Sequence, residues 1–323
     1  MKDKNIQSGS DTLQKKVFEL LDQQTREWGL AAKNYKGLEK VEKHYFEFDE
    51  GVKIGVQFNP ERIYSSAAKV DDKSISERKC FLCQAHLPAE QKWVEFNKSY
   101  LILVNPFPIF PKHLTIPHHK HIDQRISEQF PEMLSLAHEL DEFVVFYNGP
   151  RCGASAPDHF HFQAGNKGFM PIEEEVHQVS KTLLRSENGC KAQRFDNYLR
   201  HCLILEGSDK RILAQWFEEL FNLMEQMIRQ EPEPMMNVLC FWEKEEWKIF
   251  IFPRKLHRPW QFFSKDENRI LLSPASVDMG GVLITPLKED FEKLSASDIL
   301  DIFTQVTWEK DLFEKLIEEF LKD

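Results

Sequence analysis

The chain has 323 residues, of which 41% are hydrophobic and 12% aromatic, so it is long enough for two domains or one large two-part globular fold. Its formal net charge of −10 argues against general nucleic-acid binding, which requires a basic surface. No apolar run approaches the roughly 20 residues that span a bilayer, and residues 1–10 lack the apolar stretch of a signal peptide. We therefore expect a cytoplasmic protein with no membrane or nucleic-acid partner, in which any phosphate site is a local basic pocket.

The first hundred residues predict a helix, a hairpin and an irregular stretch. Residues 11–31 place apolar side chains on one helical stripe, with Asp11 as the expected cap. Residues 44–58 predict two strands joined at the turn 49–51. Residues 59–99 have no regular pattern.

Cys80 and Cys83 have the spacing of a metal-binding knuckle. In a cytosolic chain the six cysteines are expected to be thiols or metal ligands, because disulfides are rare in a reducing compartment. Two buried thiols in an apolar segment would have the same pattern, whereas a redox pair is disfavoured because the motif does not open a helix after a strand. Zinc needs two further ligands, and the chain offers six candidates: His86, His113, His118, His119, His121 and His159.

The middle of the chain predicts short strands around one helix. The strands are expected at residues 100–105, 113–116 and 142–147, and the helix at 124–140. A loop that includes Asn148, Gly149 and Ser155 follows, and its small side chains let backbone N–H groups approach an anion closely. An ordinary hairpin loop has the same composition, so its functional interpretation depends on the next segment.

The hexapeptide Asp-His-Phe-His-Phe-Gln predicts a strand, because aromatic residues occupy every second position. Side chains two apart on a strand share a face. One face therefore has His159, His161 and Gln163, and the other has Phe160 and Phe162. Two imidazoles and a carboxamide are poor core residues, but they suit phosphate chemistry as a nucleophile, a metal ligand and a hydrogen-bond donor. Imidazole has a pKa near 6.5, so an unprotonated nucleophile is available at neutral pH.

The second half has a similar order of elements without a sequence repeat. Strands are expected near 192–206 and at 236–242, 247–252 and 281–284, and helices at 209–230, 295–304 and 306–321. Antiparallel strands with segregated helices predict an α+β fold. There is no Walker A loop, no convincing glycine-rich dinucleotide fingerprint and no Gly-x-Ser-x-Gly elbow. Five scattered histidines are interpreted as structural: His44, His138, His177, His201 and His257.

Three segments, 105–111, 159–164 and 280–291, resemble the transferase branch of the histidine-triad superfamily. That branch includes the GDP-hexose phosphorylases, the galactose-1-phosphate uridylyltransferases and the diadenosine tetraphosphate phosphorylases. The GDP-hexose phosphorylases are most similar in these segments. The pair Cys80 and Cys83 is more similar to the uridylyltransferases, which bind structural zinc near that point. The resemblance implies a histidine-triad-like fold of two similar halves, each with an antiparallel sheet and packed helices.

The resemblance also implies roles for individual residues. His161, the second histidine of the motif, attacks the α-phosphorus and forms a nucleotidyl-histidine. Gln163 contacts the phosphate and favours transfer or phosphorolysis over hydrolysis, because hydrolytic relatives carry a third histidine there. The implied substrate contacts are Asn105, Asn148 and Ser155, to which Gly149 of the same small-residue loop is added. The implied ligands of a structural Zn²⁺ are Cys80, Cys83, His121 and His159.

The sequence thus predicts a nucleotidyltransferase or phosphorylase. Its substrate is a nucleoside-diphosphate sugar of the GDP-hexose type or a dinucleoside polyphosphate, with a phosphate-bearing acceptor. We expect an N-terminal catalytic half at residues 1–188 and a C-terminal half at 189–323, and a homodimer is compatible with this reading. The alternatives are UMP exchange between hexose 1-phosphates, a non-catalytic zinc-stabilised nucleotide-binding protein, and a hydrolase that uses zinc-bound water. The intact His161 and Gln163 disfavour the non-catalytic protein, and a closed set of four ligands disfavours the hydrolase.

Overall fold

The computed structural model describes residues 12–62, 75 and 77–322, which form the expected α+β fold. The helices of these residues are α1 (Leu13–Glu27), α2 (Gly29–Gly37), α3 (Phe130–Glu139), α4 (Ile172–Gln178), α5 (Lys210–Met227), α6 (Trp260–Phe263), α7 (Ser276–Met279), α8 (Lys288–Lys293), α9 (Ala296–Val306) and α10 (Lys310–Phe320). The strands are β1 (Glu42–Glu47), β2 (Lys53–Phe58), β3 (Trp93–Phe96), β4 (Tyr100–Val104), β5 (His113–Pro117), β6 (Phe143–Asn148), β7 (His161–Asn166), β8 (Lys181–Glu187), β9 (Cys190–Phe195), β10 (Leu203–Gly207), β11 (Met236–Glu243), β12 (Glu246–Pro253) and β13 (Val282–Thr285). No helix within these ranges combines the length and the apolar content needed to cross a membrane.

A ten-stranded antiparallel sheet forms the centre of the fold and contains one arrangement twice. Its strand order is β3-β4-β5-β7-β6-β11-β12-β10-β9-β8. Outward from the central β6–β11 pair, one half runs β6-β7-β5-β4-β3 and the other runs β11-β12-β10-β9-β8. A helix precedes the central strand in each half, α3 before β6 and α5 before β11. This order confirms the expected pair of similar halves, whereas the division at residue 188, which falls in the turn between β8 and β9, stays a prediction.

The two faces of the large sheet carry separate hydrophobic cores. On the first face, Phe160 and Phe162 pack in a core that includes side chains of α1, α3, α5 and α10. On the second face, Phe146 and other side chains pack against α4, α8, α9 and a small sheet, β1-β2-β13, in which β13 runs parallel to β2. Successive side chains of a strand point to opposite faces. His161 and Gln163 therefore lie on the face of the second core, as the alternation in the sequence predicts.

The first helix begins and ends differently from the expected helix at residues 11–31. Its cap is Thr12, whose hydroxyl accepts a hydrogen bond from the Lys15 amide at 3.4 Å. Asp11, the cap expected from the sequence, lies outside the described residues. Trp28 adopts an extended conformation after α1, and the chain continues as the separate helix α2. The expected single helix is therefore two helices joined at Trp28.

The other predicted elements are confirmed with shifted ends, but strands β3 and β8 and the short helices α6, α7 and α8 were not predicted. Strand β7 begins at His161, three residues later than the sequence indicates, because the chain turns just before it and the His159 amide donates to the Ala156 carbonyl at 3.2 Å. Strand β3 is only four residues long and lies inside the segment interpreted as irregular. Strand β8 is an edge strand with mostly exposed or half-buried residues, so it lacks the buried alternation by which strands are recognised.

Candidate active site and metal centre

A cavity of about 450 Å³ opens on the second-core face of the large sheet. Neighbouring strands bring the predicted residues together, since Asn105 follows β4, Asn148 ends β6 and His161 begins β7. Gly149 is the exception, because it lies outside the cavity wall and its amide donates to the Met236 carbonyl at 3.1 Å. Five of the six predicted catalytic and substrate residues line the cavity: Asn105, Asn148, Ser155, His161 and Gln163.

His161 is held in one tautomer by the backbone. Its Nδ1 lies 2.8 Å from the His159 carbonyl oxygen, which can only accept, so Nδ1 carries the proton. Among the described residues no side chain or backbone group bonds Nε2, which keeps its lone pair. The buried Gln124 fixes the backbone here: its Oε1 accepts from the His161 amide at 2.8 Å, and its Nε2 donates to the carbonyls of Asn148 and His161. Burial lowers the pKa of His161 from 6.5 to about 4, so the ring is neutral at physiological pH.

Gln163 is oriented by a histidine that the sequence analysis leaves among the candidate metal ligands. His113 is fully buried, and its Nδ1 accepts a hydrogen bond from the Ile109 amide at 3.1 Å. Its proton is therefore on Nε2, which donates to Gln163 Oε1 at 3.1 Å. Burial, reinforced by the nearby Arg62, lowers the pKa of His113 to about 3 and keeps the ring neutral. With its oxygen bonded to His113, Gln163 presents its NH₂ group as the donor for the cavity.

The loop after β6 is fixed by contacts with the C-terminal half. Asn148 Oδ1 accepts hydrogen bonds from Asn237 Nδ2 at 3.0 Å and from the Ser276 amide at 2.8 Å. Gly153 has a φ of +103°, and a Cβ at this position would lie 2.5 Å from the Ala275 Cβ. Glycine is required at residue 153 both by its backbone conformation and by this close approach.

Four predicted ligands converge beside the cavity: Cys80, Cys83, His121 and His159. Their ligand atoms all lie within 4.8 Å of one another. Cys80 Sγ is 3.2 Å from His159 Nδ1, Cys83 Sγ is 3.6 Å from the same nitrogen, and Cys83 Sγ is 3.2 Å from His121 Nδ1. Tetrahedral zinc, with its bond lengths of about 2.3 Å to sulfur and 2.0 Å to nitrogen, separates sulfur and nitrogen ligands by about 3.5 Å. The group can therefore hold a metal ion, and its two thiols and two imidazoles suit zinc.

The metal group and the nucleophile share one histidine. His159 Nε2 donates to the His118 carbonyl at 2.7 Å, which directs Nδ1 towards the thiols. The carbonyl of His159 is the acceptor for His161 Nδ1. Asp158 Oδ2 lies 3.5 Å from Nε2 of His121 and so supports the other imidazole. A movement of His159 out of the metal group would therefore also move the carbonyl that fixes the tautomer of His161.

Three arginines and one histidine on the cavity wall are absent from the predicted site. Arg62 donates to the Phe107 carbonyl at 2.8 Å, and Arg78 donates to the carbonyl of Ser155 at 2.8 Å. Arg258 and His257 come from the segment after β12. His257, which the sequence analysis interprets as structural, lines the cavity, and its Nε2 lies 3.2 Å from Ser273 Oγ. The four residues follow no local motif, and the three arginines make the expected basic pocket in an acidic protein.

Each half of the chain matches a known family model. Residues 173–323 match the family described as GDPGP1-like, C-terminal domain, and residues 20–166 match a domain of unknown function, DUF4922. The crystal structure of yeast Ap4A phosphorylase Apa2 is similar in fold, with a TM-score of 0.62, 18% identity, and coverage of 92% of this chain and 97% of that chain. The same enzyme in complex with Ap4A matches at 17% identity with the same TM-score and coverage. A search of curated proteins finds no match.

The C-terminal half is thus similar to the GDPGP1-like family, and the chain shares the fold of yeast Ap4A phosphorylase. This similarity agrees with the resemblance seen in the sequence and confirms the predicted α+β architecture. The cytoplasmic location, the homodimer and the functional roles of the site residues stay predictions.

Proposed function

We propose that the chain is a nucleotidyl phosphorylase that acts on a nucleoside-diphosphate sugar of the GDP-hexose type or on a dinucleoside polyphosphate. The proposal is carried by the His161 ring, whose Nδ1–H is bonded to a backbone carbonyl while Nε2 keeps its lone pair beside the Gln163 amide. The GDPGP1-like match supports a nucleotide-sugar substrate, and the Ap4A complex of the similar yeast enzyme supports a dinucleotide.

The reaction proceeds in two displacements at one phosphorus. In the first, the lone pair of His161 Nε2 forms a bond to the α-phosphorus, and the bond from this phosphorus to the bridging oxygen breaks. The leaving phosphate departs with that oxygen and its electron pair. In the second, an oxygen of the acceptor phosphate attacks the same phosphorus, and the P–N bond returns its electrons to Nε2. Nδ1 keeps its proton throughout, because its charge in the intermediate is stabilised by the His159 carbonyl.

Fixed donors and positive charges stabilise the phosphoryl oxygens. The Gln163 NH₂ group is already oriented by His113, so it needs no reorganisation in the transition state. The guanidinium of Arg62 lines the same cavity and supplies positive charge. Burial lowers the pKa of Arg62 only to about 10, so the group stays protonated at neutral pH. These groups are what a loose phosphoryl-transfer transition state requires.

The metal group has a structural role in this proposal. Cys80, Cys83, His121 and His159 would hold zinc with four protein ligands, which leaves no open position for substrate or water. A zinc ion there supplies a rigid link between the knuckle and the catalytic strand. His159 then presents its carbonyl to His161 from a fixed position.

The test is intact-protein mass spectrometry after incubation with GDP-hexoses, UDP-hexoses and dinucleoside polyphosphates. We expect one covalent adduct whose added mass is a nucleoside monophosphate less water, and this mass identifies the base. His161→Ala should abolish the adduct with every donor. His177→Ala is the matched control, because His177 lies on α4, pairs with Glu243 and does not line the cavity. An adduct that survives in His161→Ala, or the absence of any adduct in the wild type, would contradict the proposal.

A further inference from the structure

The C-terminal half supplies one wall of the cavity through two segments. His257 and Arg258 belong to the segment after β12, and Ser273 belongs to the segment before α7. The second segment is docked on the catalytic loop, because the Ser276 amide donates to Asn148 Oδ1 at 2.8 Å. The position of this wall is thus tied to the strand next to the nucleophile.

Arg258 is held on this wall by contacts that include Ser273 and Phe262. Its Nε donates to Ser273 Oγ at 3.0 Å, and its guanidinium lies over the Phe262 ring, 4.0 Å from the centroid. Ser273 Oγ also lies 3.2 Å from His257 Nε2. Burial and the nearby Arg258 and Arg254 lower the pKa of His257 to about 3, so this ring is neutral and accepts the serine proton. These contacts fix the plane of the Arg258 guanidinium, whose forked donors match the geometry of a phosphate.

An apolar slot and the wall that carries Arg258 lie on opposite sides of β7, the strand of His161. The slot is the part of the cavity wall lined by Trp28, Leu30 and Leu103. Leu103 lies on β4, which is two strands away from β7. Neighbouring strands lie about 4.8 Å apart, so about 10 Å separates the slot from the nucleophile, which is room for a base and its ribose. The wall with Arg258 docks on the end of β6, on the other side of β7. A nucleotide whose base fills the slot directs its second phosphate towards Arg258.

We propose that Arg258 forms the subsite for the phosphate next to the attacked α-phosphate. This inference rests on the proposed function and deepens it, since it gives the C-terminal half a role in the reaction. The leaving phosphate occupies this subsite when the adduct forms, and the phosphate of the acceptor occupies it when the adduct is discharged, because the second displacement follows the path of the first in reverse. The subsite selects substrates and acceptors that carry a phosphate at this position.

The one acidic side chain among the described residues that line the cavity is already satisfied by other groups. Asp278 accepts hydrogen bonds from the Ala275 amide at 2.8 Å and the Ile284 amide at 3.2 Å. Its charge interacts favourably with those of Arg62 and Arg254. The charge of Asp278 is therefore compensated by Arg62 and Arg254.

A binding comparison tests the subsite without catalysis. Dissociation constants are measured for GDP and GMP, and for ADP and AMP, with the wild type, Arg258→Met and Arg211→Met. The wild type should bind the diphosphate of the preferred base about tenfold or more tightly than the monophosphate. Arg258→Met should remove most of this preference and change monophosphate binding by no more than about twofold. Arg211, an exposed residue at the start of α5, is the matched control and should behave as the wild type. A preference that persists in Arg258→Met, or is absent from the wild type, overturns the proposal.

A kinetic comparison separates the subsite from the nucleophile. A nucleoside 5′-phosphorimidazolide has imidazole as its leaving group and carries no second phosphate. Arg258→Met should form the adduct from this donor at a rate near that of the wild type, but should need about tenfold more phosphate to discharge it. Loss of both reactions would mean that Arg258 acts on His161 or on the fold, and would overturn the subsite. A wild type that forms no adduct from any donor would refute the phosphorylase, and the binding comparison would still decide the subsite.

Discussion

Gln163 offers the sharpest test of how the site stabilises the transferred phosphoryl group. In Gln163→Ala the cavity loses a single donor, which His113 holds in place at 3.1 Å. Loss of one such preorganised donor typically slows the chemical step by about 10²–10³, or raises its barrier by about 3–4 kcal/mol. The fold should change little, because the side chain faces the cavity and the lost hydrogen bond contributes about 1 kcal/mol to stability. We therefore predict a severe kinetic defect in a protein that is folded normally.

The assay is rapid quenching of the reaction with saturating donor, followed by intact-mass detection of the adduct. Urea unfolding of the same samples gives the free energy of unfolding. Gln163→Glu is the isosteric companion variant: its carboxylate can still accept from His113, but it turns a charge of the wrong sign towards the phosphate. Gln163→Glu should form the adduct more slowly than Gln163→Ala. Rates within tenfold of the wild type for Gln163→Ala, or a faster Gln163→Glu, would refute the role of the amide as a phosphate donor.

Three further variants test the metal group, a buried carboxyl and the catalytic loop. Cys80→Ser should lower both the zinc content by elemental analysis and the thermal stability, whereas Cys190→Ser, which changes a buried thiol outside the metal group, should leave the zinc content unchanged. Burial raises the pKa of Glu233 from 4.5 to about 7, so the folded state binds this proton more tightly than the unfolded chain. Stability should fall as the pH rises from 4.5 through 7, by up to about 3 kcal/mol, and urea unfolding at pH 5 and pH 8 should show that Glu233→Gln flattens this dependence. Gly153→Ala should lower the free energy of unfolding by about 1–3 kcal/mol through its positive φ and steric overlap, and by more than Gly168→Ala, which also has positive φ but has open space around it.

The parts of the fold that were predictable have a regular pattern in the sequence. The alternation that ends at Gln163 fixes which side chains of β7 face the site, and the spacing of Cys80 and Cys83 indicates a metal knuckle. The similar order of strands and helices in the second half agrees with the two similar halves that the resemblance implies. The edge strand β8 was missed because an exposed edge has no buried face, and the helix break at Trp28 was missed because the apolar stripe continues through it.

The remainder of the site depends on contacts between segments that are far apart in the chain. Gln124, buried between the backbones of β6 and β7, belongs to no motif, and its role follows only from the hydrogen bonds it makes. Arg62 and Arg258 reach one cavity from opposite ends of the sequence. His113 was one of six candidate zinc ligands, and only its position on the neighbouring strand β5, where it pairs with Gly165 two residues from Gln163, reveals its hydrogen bond.

The central claim is that a covalent nucleotidyl-His161 is transferred to a phosphate-bearing acceptor. The most direct measurement isolates the labelled wild-type protein, free of donor, and follows the adduct by intact mass in buffer alone, with inorganic phosphate, and with a hexose 1-phosphate. We predict that the adduct persists in buffer and disappears rapidly when one of these acceptors is added, with the nucleotide recovered in the acceptor product. Rapid loss of the label in buffer, at a rate that no acceptor changes, would identify a hydrolase and contradict the account.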